Sequence, residues 1–278
     1  SGRYRFSTNP DPCAKVAAPR RTCTAAECTT QLRKPAVCDD NQCVKLKSEE
    51  CQTVIGPVEN DDTIVLGQLT NTRGSDQASG TGRTRSLELA LKEINSTAGG
   101  VYTADGCGRR PLALVVCDDS NGLKNPDAGA DGGSYSRRAA ATHLASELKV
   151  PAIFGPHNSN NTIDVATNVT LAAKTLVIVP TGGAAEITTI AGGTVDGTRL
   201  VWRTVPSDAL QAKAVARLGE KTEADIKAAS PGKTTLKVAI VNRGDAFGRG
   251  LRDGVKESAI HNGLSWAAND PANVLELE

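Results

Sequence analysis

The sequence predicts an α/β protein built on a doubly wound parallel sheet, preceded by a cysteine-rich N-terminal segment. Three observations carry that reading. From residue 63 onward, short apolar runs alternate without a break with segments of helical periodicity. The apolar runs are continuous rather than alternating, as in strands covered by helices on both faces. Polar and glycine-rich stretches follow the strands, where the loops of such a sheet collect outside its carboxyl ends.

Taken in order, "TIVLGQL" (63–69) reads as the first strand and "TNTRGSDQASGTG" (70–82) as a loop. "RTRSLELALKEIN" (83–95) places Leu87, Ala90, Leu91 and Ile94 at helical spacing. "PLALVVCDD" (111–119) is a strand, "SRRAAATHLASELK" (136–149) a helix, "PAIFGP" (151–156) a strand and "TIDVATNVTLAAK" (162–174) a helix. "TLVIVPT" (175–181) follows as a strand, "AEITTIA" (185–191) as a short helix and "RLVWRTV" (199–205) as a strand. A helix is expected from Ser207 to about Gly219, with Leu210, Ala214 and Leu218 on one face. "LKVAIVNR" (236–243) and "FGRGLRDGVKESAI" (247–260) close the series as strand and helix.

At 278 residues the chain can build one large or two modest hydrophobic cores. Its net charge is +1, from 32 basic and 31 acidic residues, and no long basic run occurs, so nucleic acid is not an expected partner. The longest apolar runs are strand-sized, well short of a membrane span. "SGRYRFSTNP" does not read as a signal peptide, so export implies that such a segment has been removed or lies outside this sequence.

Composition changes sharply near residue 58. Six of the eight cysteines crowd the stretch before it: Cys13, Cys23, Cys28, Cys38, Cys43 and Cys51, with Cys107 and Cys117 further on. An even number, in a segment without aliphatic periodicity, points to disulfides in place of a core and to an oxidising compartment. Cys23–Cys28 and Cys38–Cys43 share a C-x4-C spacing, each pair preceded by nine residues after the last cysteine, which suggests a degenerate repeat. Four thiolates could also close a zinc site, but C-x2-C knuckles and histidines are missing from this segment. Disulfides are the expectation for all eight cysteines, with no metal; spacing alone does not choose their pairing.

The loops narrow the chemistry. "SGTGRTR" (79–85) lacks the third glycine of a dinucleotide loop, and neither a phosphate-binding P-loop nor a G-x-S-x-G nucleophile elbow occurs. No cofactor is expected. "VPAIFGPHNSNNTIDVA" (150–166) sets His157, Asn158, Ser159 and Asn160 where a buried strand gives way to a helix. Free N–H groups at such a helix start attract negative charge. His157 reads first as a local hydrogen-bonding residue, and His143 and His261 as residues of solvated faces. Asp118 and Asp119 are neighbours whose side chains diverge in a strand, which suits loop-fixing or capping rather than paired acid–base work. Asp208 either caps the helix that follows or faces an ammonium or hydroxyl group; both hold if Ser207 is the cap.

The order "IVLGQLTNTRG…SLELALKEINSTAGGV", "LVVCDDS", "VPAIFGPHNS", "LVIVPTGGAAEIT", "WRTVPSDALQA" and "VAIVNRGDAFGRGL" resembles the type I periplasmic solute-binding proteins, nearest to their branched-chain amino-acid and amide branch, from about residue 63 to 262. That resemblance implies two α/β lobes that close on a small ligand. Residues 1–58 would be the cysteine-rich segment, 59–206 lobe one and 207–278 part of lobe two, with a long further stretch needed to complete it. It implies that Ser159, with Asn158 and the neighbouring N–H groups, holds a ligand carboxylate, and that Asp208 meets an amino group. Phe247 would flank the cleft as an aromatic. Arg73 and Ser79 lie in the first loop, where the family varies and sometimes uses an arginine for a distal carboxylate. A threonine usually follows strand four; here Gly183 stands at or near its place and Thr181 is the nearest hydroxyl, so the ligand is as readily another small polar or carboxylated compound as an amino acid.

The function so implied is non-enzymatic: an exported protein, periplasmic or on the cell surface, that captures a small solute for the permease of an ABC transporter. The alternative is the ligand-sensing ectodomain of a membrane receptor; a doubly wound enzyme lacks a nucleophile, a phosphate loop and metal spacing. The cysteine-rich segment resembles spacers that follow the lipid-anchored cysteine of some bacterial lipoproteins, which implies a lipid anchor upstream. A monomer is expected.

Overall fold

The computed structural model describes residues 22–104, 106–124, 134–195 and 197–277. The chain divides into two units, Ser1–Pro151 and Ala152–Glu278. Among the described residues no helix is long and apolar enough to cross a membrane.

The first unit begins with α1 (Ala25–Leu32), whose start is closed by a reciprocal box between Thr24 and Glu27. β1 (Ala36–Asp39) and β2 (Gln42–Lys45) form an antiparallel hairpin turned by Asp40 and Asn41. Disulfides Cys23–Cys38 and Cys28–Cys43 bind α1 and the chain just ahead of its cap to that hairpin. Both bridges span 15 positions, so the two C-x4-C pairs are the two rails of one ladder. The sulfurs of Cys23, Cys28 and Cys38 lie close enough together for a metal, but each is spent in a disulfide. Cys51–Cys117 is a third bridge, and Cys107 is also disulfide-bonded. Among the described residues no cysteine is free; Cys13 lies outside them.

β3 (Thr53–Ile55) and β4 (Ile64–Thr70) precede α2 (Gln77–Ala98), the short hairpin of β5 (Val101–Tyr102) and β6 (Arg109–Arg110), and then β7 (Leu112–Asp118). β7 lies between two strands: β4 runs parallel to it from Ile64 opposite Leu112 to Thr70 opposite Asp118, and the short β3 antiparallel on its other edge. Leu87, Leu91 and Ile94 of α2 pack on Leu112, Leu114 and Val116, the helical stripe seen in the sequence, while Ala90 faces solvent. α2 starts earlier than residue 83. Gly80 reads as a loop former, yet it sits in the first turns of the helix because a Cβ there would lie 1.8 Å from the Asn71 carbonyl oxygen. β8 (Asn121–Lys124), β9 (Ser134–Ser136) and α3 (Arg137–Thr142) follow, the helix continuing as a π turn over 143–147. His143, expected on a solvated face, is only 4% exposed: its ring bridges Glu147 at 2.6 Å and the Leu46 carbonyl at 3.2 Å. The cysteine-rich segment folds back over it, a long-range contact that helical periodicity cannot foretell.

The second unit opens with β10 (Ala152–Phe154) and α4 (Ser159–Val165), extended by a π turn over 166–170. β11 (Leu176–Val179), the small hairpin of β12 (Thr194–Val195) and β13 (Thr198–Arg199), and β14 (Val201–Arg203) come next. β11 pairs in parallel with β10 on one side and β14 on the other. Val177, Val179 and Val201 form its core with Ala166, Ala184 and Ile187. α5 (Asp208–Ala229) passes straight through Gly219, where the sequence suggested a stop; the i,i+4 pairs Lys221–Asp225 and Glu223–Lys227 support the extra turns. β15 (Val238–Val241), α6 (Ala246–Ser258), the β16 (Ile260–His261) and β17 (Leu264–Ser265) hairpin and β18 (Val274–Leu277) complete it, with β15 and β18 paired in parallel. His261 is buried as well, held between Glu223 and the Leu236 carbonyl rather than in solvent.

Candidate functional site

In the second unit the loops after β10, β11 and β14 meet. α4 begins where the sequence turns polar. Asn158 is its cap, the side-chain oxygen accepting from the Asn161 N–H at 2.8 Å. Ser159, the first helical residue, is buried, and its hydroxyl oxygen accepts from the Ala184 N–H at 3.1 Å. The hydroxyl proton of Ser159 and the first-turn N–H groups are the donors that a helix start of this kind turns toward an acidic group. Thr181 donates its hydroxyl to the His157 carbonyl, tying the loop after β11 to the loop after β10. Asn160 accepts from the Ala246 N–H at 2.9 Å, so the first turn of α4 also touches the start of α6.

Asp208 joins this group through the loop after β11. Ser207 caps α5, its hydroxyl oxygen accepting from the Ala209 N–H at 3.4 Å, so Asp208 is released from capping. Asp208 is wholly buried. Its N–H donates to the Gly183 carbonyl at 2.8 Å and one carboxylate oxygen accepts from the Gln211 amide at 3.0 Å. The other oxygen, Oδ2, has no hydrogen-bond partner. Burial raises the pKa of this carboxyl, and the nearby Arg203 charge pulls it back in part. Arg203 donates to the Gly183 and Ala184 carbonyls at 2.9 and 2.8 Å, clamping the loop; burial lowers its pKa. Gly183 explains itself here. A Cβ at that position would lie 2.4 Å from Asp208 Oδ1, so the carboxylate occupies the space a side chain at 183 would need.

Asn158, Ser159, Thr181, Gly183 and Asp208 therefore converge through the 183–184 loop. Phe247 does not join them: it lines a separate cavity of about 410 Å³ with Val215, Ile240, Leu251 and Val255, although its neighbour Ala246 reaches Asn160. In the first unit, Arg73 lies 3.3 Å from the wholly buried Asp118, which also accepts from the Thr72 N–H at 3.0 Å, the Thr72 hydroxyl and the Ser120 N–H at 2.7 Å. Asp118 thus fixes a loop, as its place in the sequence suggested. Ser79, read as a loop residue, is exposed in the first turn of α2. Arg203 escaped notice because a single arginine at a strand end carries no signal of the two carbonyls it will clamp.

A family model described as "Periplasmic binding protein" matches residues 63–275. No curated protein matches the sequence. Solved structures that resemble the chain include an ABC transporter substrate-binding protein from Desulfitobacterium hafniense, at 23% identity and TM-score 0.49, covering 78% of this chain and 51% of that one. A branched-chain amino acid transporter substrate binding protein from Streptococcus pneumoniae, in complex with isoleucine, shows 20% identity and TM-score 0.49, with 78% and 49% covered. A solute binding protein of an ABC transporter from Rhodopseudomonas palustris BisB5, in complex with 3,4-dihydroxy benzoic acid, shows 19% identity and TM-score 0.51, with 78% and 47% covered. The chain spans about half the length of these proteins. With the family match running over most of its length, on parallel strands whose loops gather polar side chains, the chain belongs to the periplasmic binding protein family, in its type I branch.

Proposed function

We propose that the whole protein is an extracytoplasmic solute-binding component of an ABC transporter, which captures a small polar, amino-acid-like or carboxylated compound and hands it unchanged to a membrane permease. The observation that carries this reading is the buried Asp208 carboxylate with one oxygen unpartnered, joined through Gly183 and Ala184 to the helix start at Asn158 and Ser159. Burying a carboxylate without filling its acceptor sites costs stability, and such a cost is kept where a ligand repays it. In this reading Asp208 accepts from an ammonium or amide of the solute, while Ser159 and the first-turn N–H groups of α4 hold its acidic end. Two charge-assisted hydrogen bonds at about 1.5–3 kcal/mol each, with modest apolar help, support micromolar affinity. Thr181 keeps the two loops in register; the first-loop residues Arg73 and Ser79 are further candidate contacts of the solute in the same proposal, and a second lobe begins after residue 206. Export, a lipid tether ahead of the cysteine-rich segment and action as a monomer belong to the same proposal.

A thermal-shift screen of the intact two-lobed protein against amino acids, amides, short aliphatic acids and purines tests it. A binder that raises the melting temperature, and whose affinity falls at least about tenfold in Asp208→Ala without unfolding, is the expected result. Unchanged affinity by calorimetry would leave Asp208 with no part in recognition, and turnover of the bound compound would point to an enzyme instead.

A further inference from the structure

Residues 48–55 lie ahead of the stretch that the family model matches, which begins at residue 63. They nevertheless grip β7 at three points. β3 pairs along it, with Thr53 opposite Val116. Cys51 is bonded to Cys117, and both are wholly buried. One residue further on, the Asp118 N–H donates to the Glu50 carbonyl at 2.9 Å. Asp118 is also the residue whose carboxylate gathers the Thr72 N–H, the Thr72 hydroxyl, the Ser120 N–H and the Arg73 guanidinium. A carboxylate holds a turn only as firmly as its own main chain is held, and strand ends are where main chain frays most readily.

We infer that the disulfide-tied segment 48–55 is a positioning element for the first loop: it fixes Asp118, and Asp118 fixes the turn that carries Thr72 and Arg73. The cysteine-rich region is then a part of the binding scaffold and more than a spacer. The meaning of this for ligand capture rests on the proposed role of Arg73; the geometry does not.

Hydrogen exchange of the ligand-free chain separates the two. In Cys51→Ala/Cys117→Val, the Thr72 and Ser120 amides, both bonded to Asp118, are expected to exchange at least about tenfold faster, while the Thr162 amide of α4, bonded to the Asn158 carbonyl, keeps its rate. Cys23→Ala/Cys38→Ala, which removes a bridge elsewhere in the N-terminal segment, is expected to leave Thr72 and Ser120 at their parent rates. Parent rates in the first variant, or equal acceleration in both, would overturn the inference. Should the first variant not fold, Glu50→Gly keeps every disulfide but loosens the turn, and must by itself speed exchange at Thr72 and Ser120 selectively; if it folds and does not, the inference fails. No ligand enters these measurements, so their outcome stands apart from whether Arg73 touches a solute.

Discussion

Two of the wholly buried aspartates, Asp118 in the first unit and Asp208 in the second, end up with opposite fates. Asp118 closes β7 with both carboxylate oxygens engaged, by two backbone N–H groups, a hydroxyl and a guanidinium. Asp208 opens α5 with one oxygen bonded to Gln211 and the other facing no donor. Burial is the same, so burial does not distinguish a structural acid from a recognition acid. The count of filled acceptor sites does. A carboxylate saturated by its own chain has nothing left to offer a ligand; one left half-empty carries a standing cost that a ligand can remove.

The contrast predicts the sharpest difference on removal. Asp118→Ala strips four donors of their common acceptor, one of them a charged guanidinium, and is expected to cost about 3–5 kcal/mol in urea denaturation. If Asp118→Ala costs less than about 1 kcal/mol, the saturated carboxylate is not the anchor it looks like. The second effect in size belongs to Gly183→Ala. Its Cβ would meet Asp208 Oδ1 at 2.4 Å, so either the carboxylate or the loop must shift, at about 1–3 kcal/mol. The pair Gly183→Ala with Asp208→Ala should then cost less than the sum of the two, because the second substitution removes the clash; simple additivity would mean that the cost of Gly183→Ala does not come from the Asp208 carboxylate.

The sequence foretold much of this and failed at identifiable places. Continuous apolar runs gave the parallel strands, and the Leu87–Leu91–Ile94 stripe gave the face of α2 that packs on β7. Asn158 and Ser207 were legible as helix-start residues, because short polar side chains before a periodic run have a local meaning. Gly80 misled for the opposite reason: it reads as a local breaker, but it is there for a carbonyl that approaches from Asn71. His143 and His261 misled in the same way, since the Leu46 and Leu236 carbonyls that cover them lie far off in sequence. The disulfide ladder was legible as an even cysteine count, whereas its pairing depends on how α1 lies against a hairpin, which no spacing encodes. At the candidate site the residue types could be read; the half-empty state of Asp208 could not, because it depends on Gly183 and Arg203 arriving from other strand ends.

The smallest effect is the most discriminating, because it changes sign between the two aspartates. Asp208→Asn keeps the shape of the side chain and removes a buried charge whose second oxygen no donor meets. At neutral pH it is expected to stabilise the ligand-free protein by about 1 kcal/mol, read as a rise of a few degrees in melting temperature, while weakening solute binding. The pH dependence follows from the direction of the shift. Burial raises the folded-state pKa of Asp208 above its unfolded value. Between those two values the native state holds a proton that the unfolded chain has released, so stability falls as pH rises through that window and stays low above it. Asp208→Asn lacks this loss. Its advantage should therefore be full at neutral pH, shrink as the pH falls through the raised pKa, and vanish below the ordinary aspartate value of about 3.9. Asp118→Asn should show no such gain at neutral pH, since it weakens bonds that the carboxylate makes to four donors. An Asp208→Asn protein less stable than its parent at neutral pH would mean that the attraction of Arg203 outweighs the cost of burial, and that Asp208 is a structural acid like Asp118.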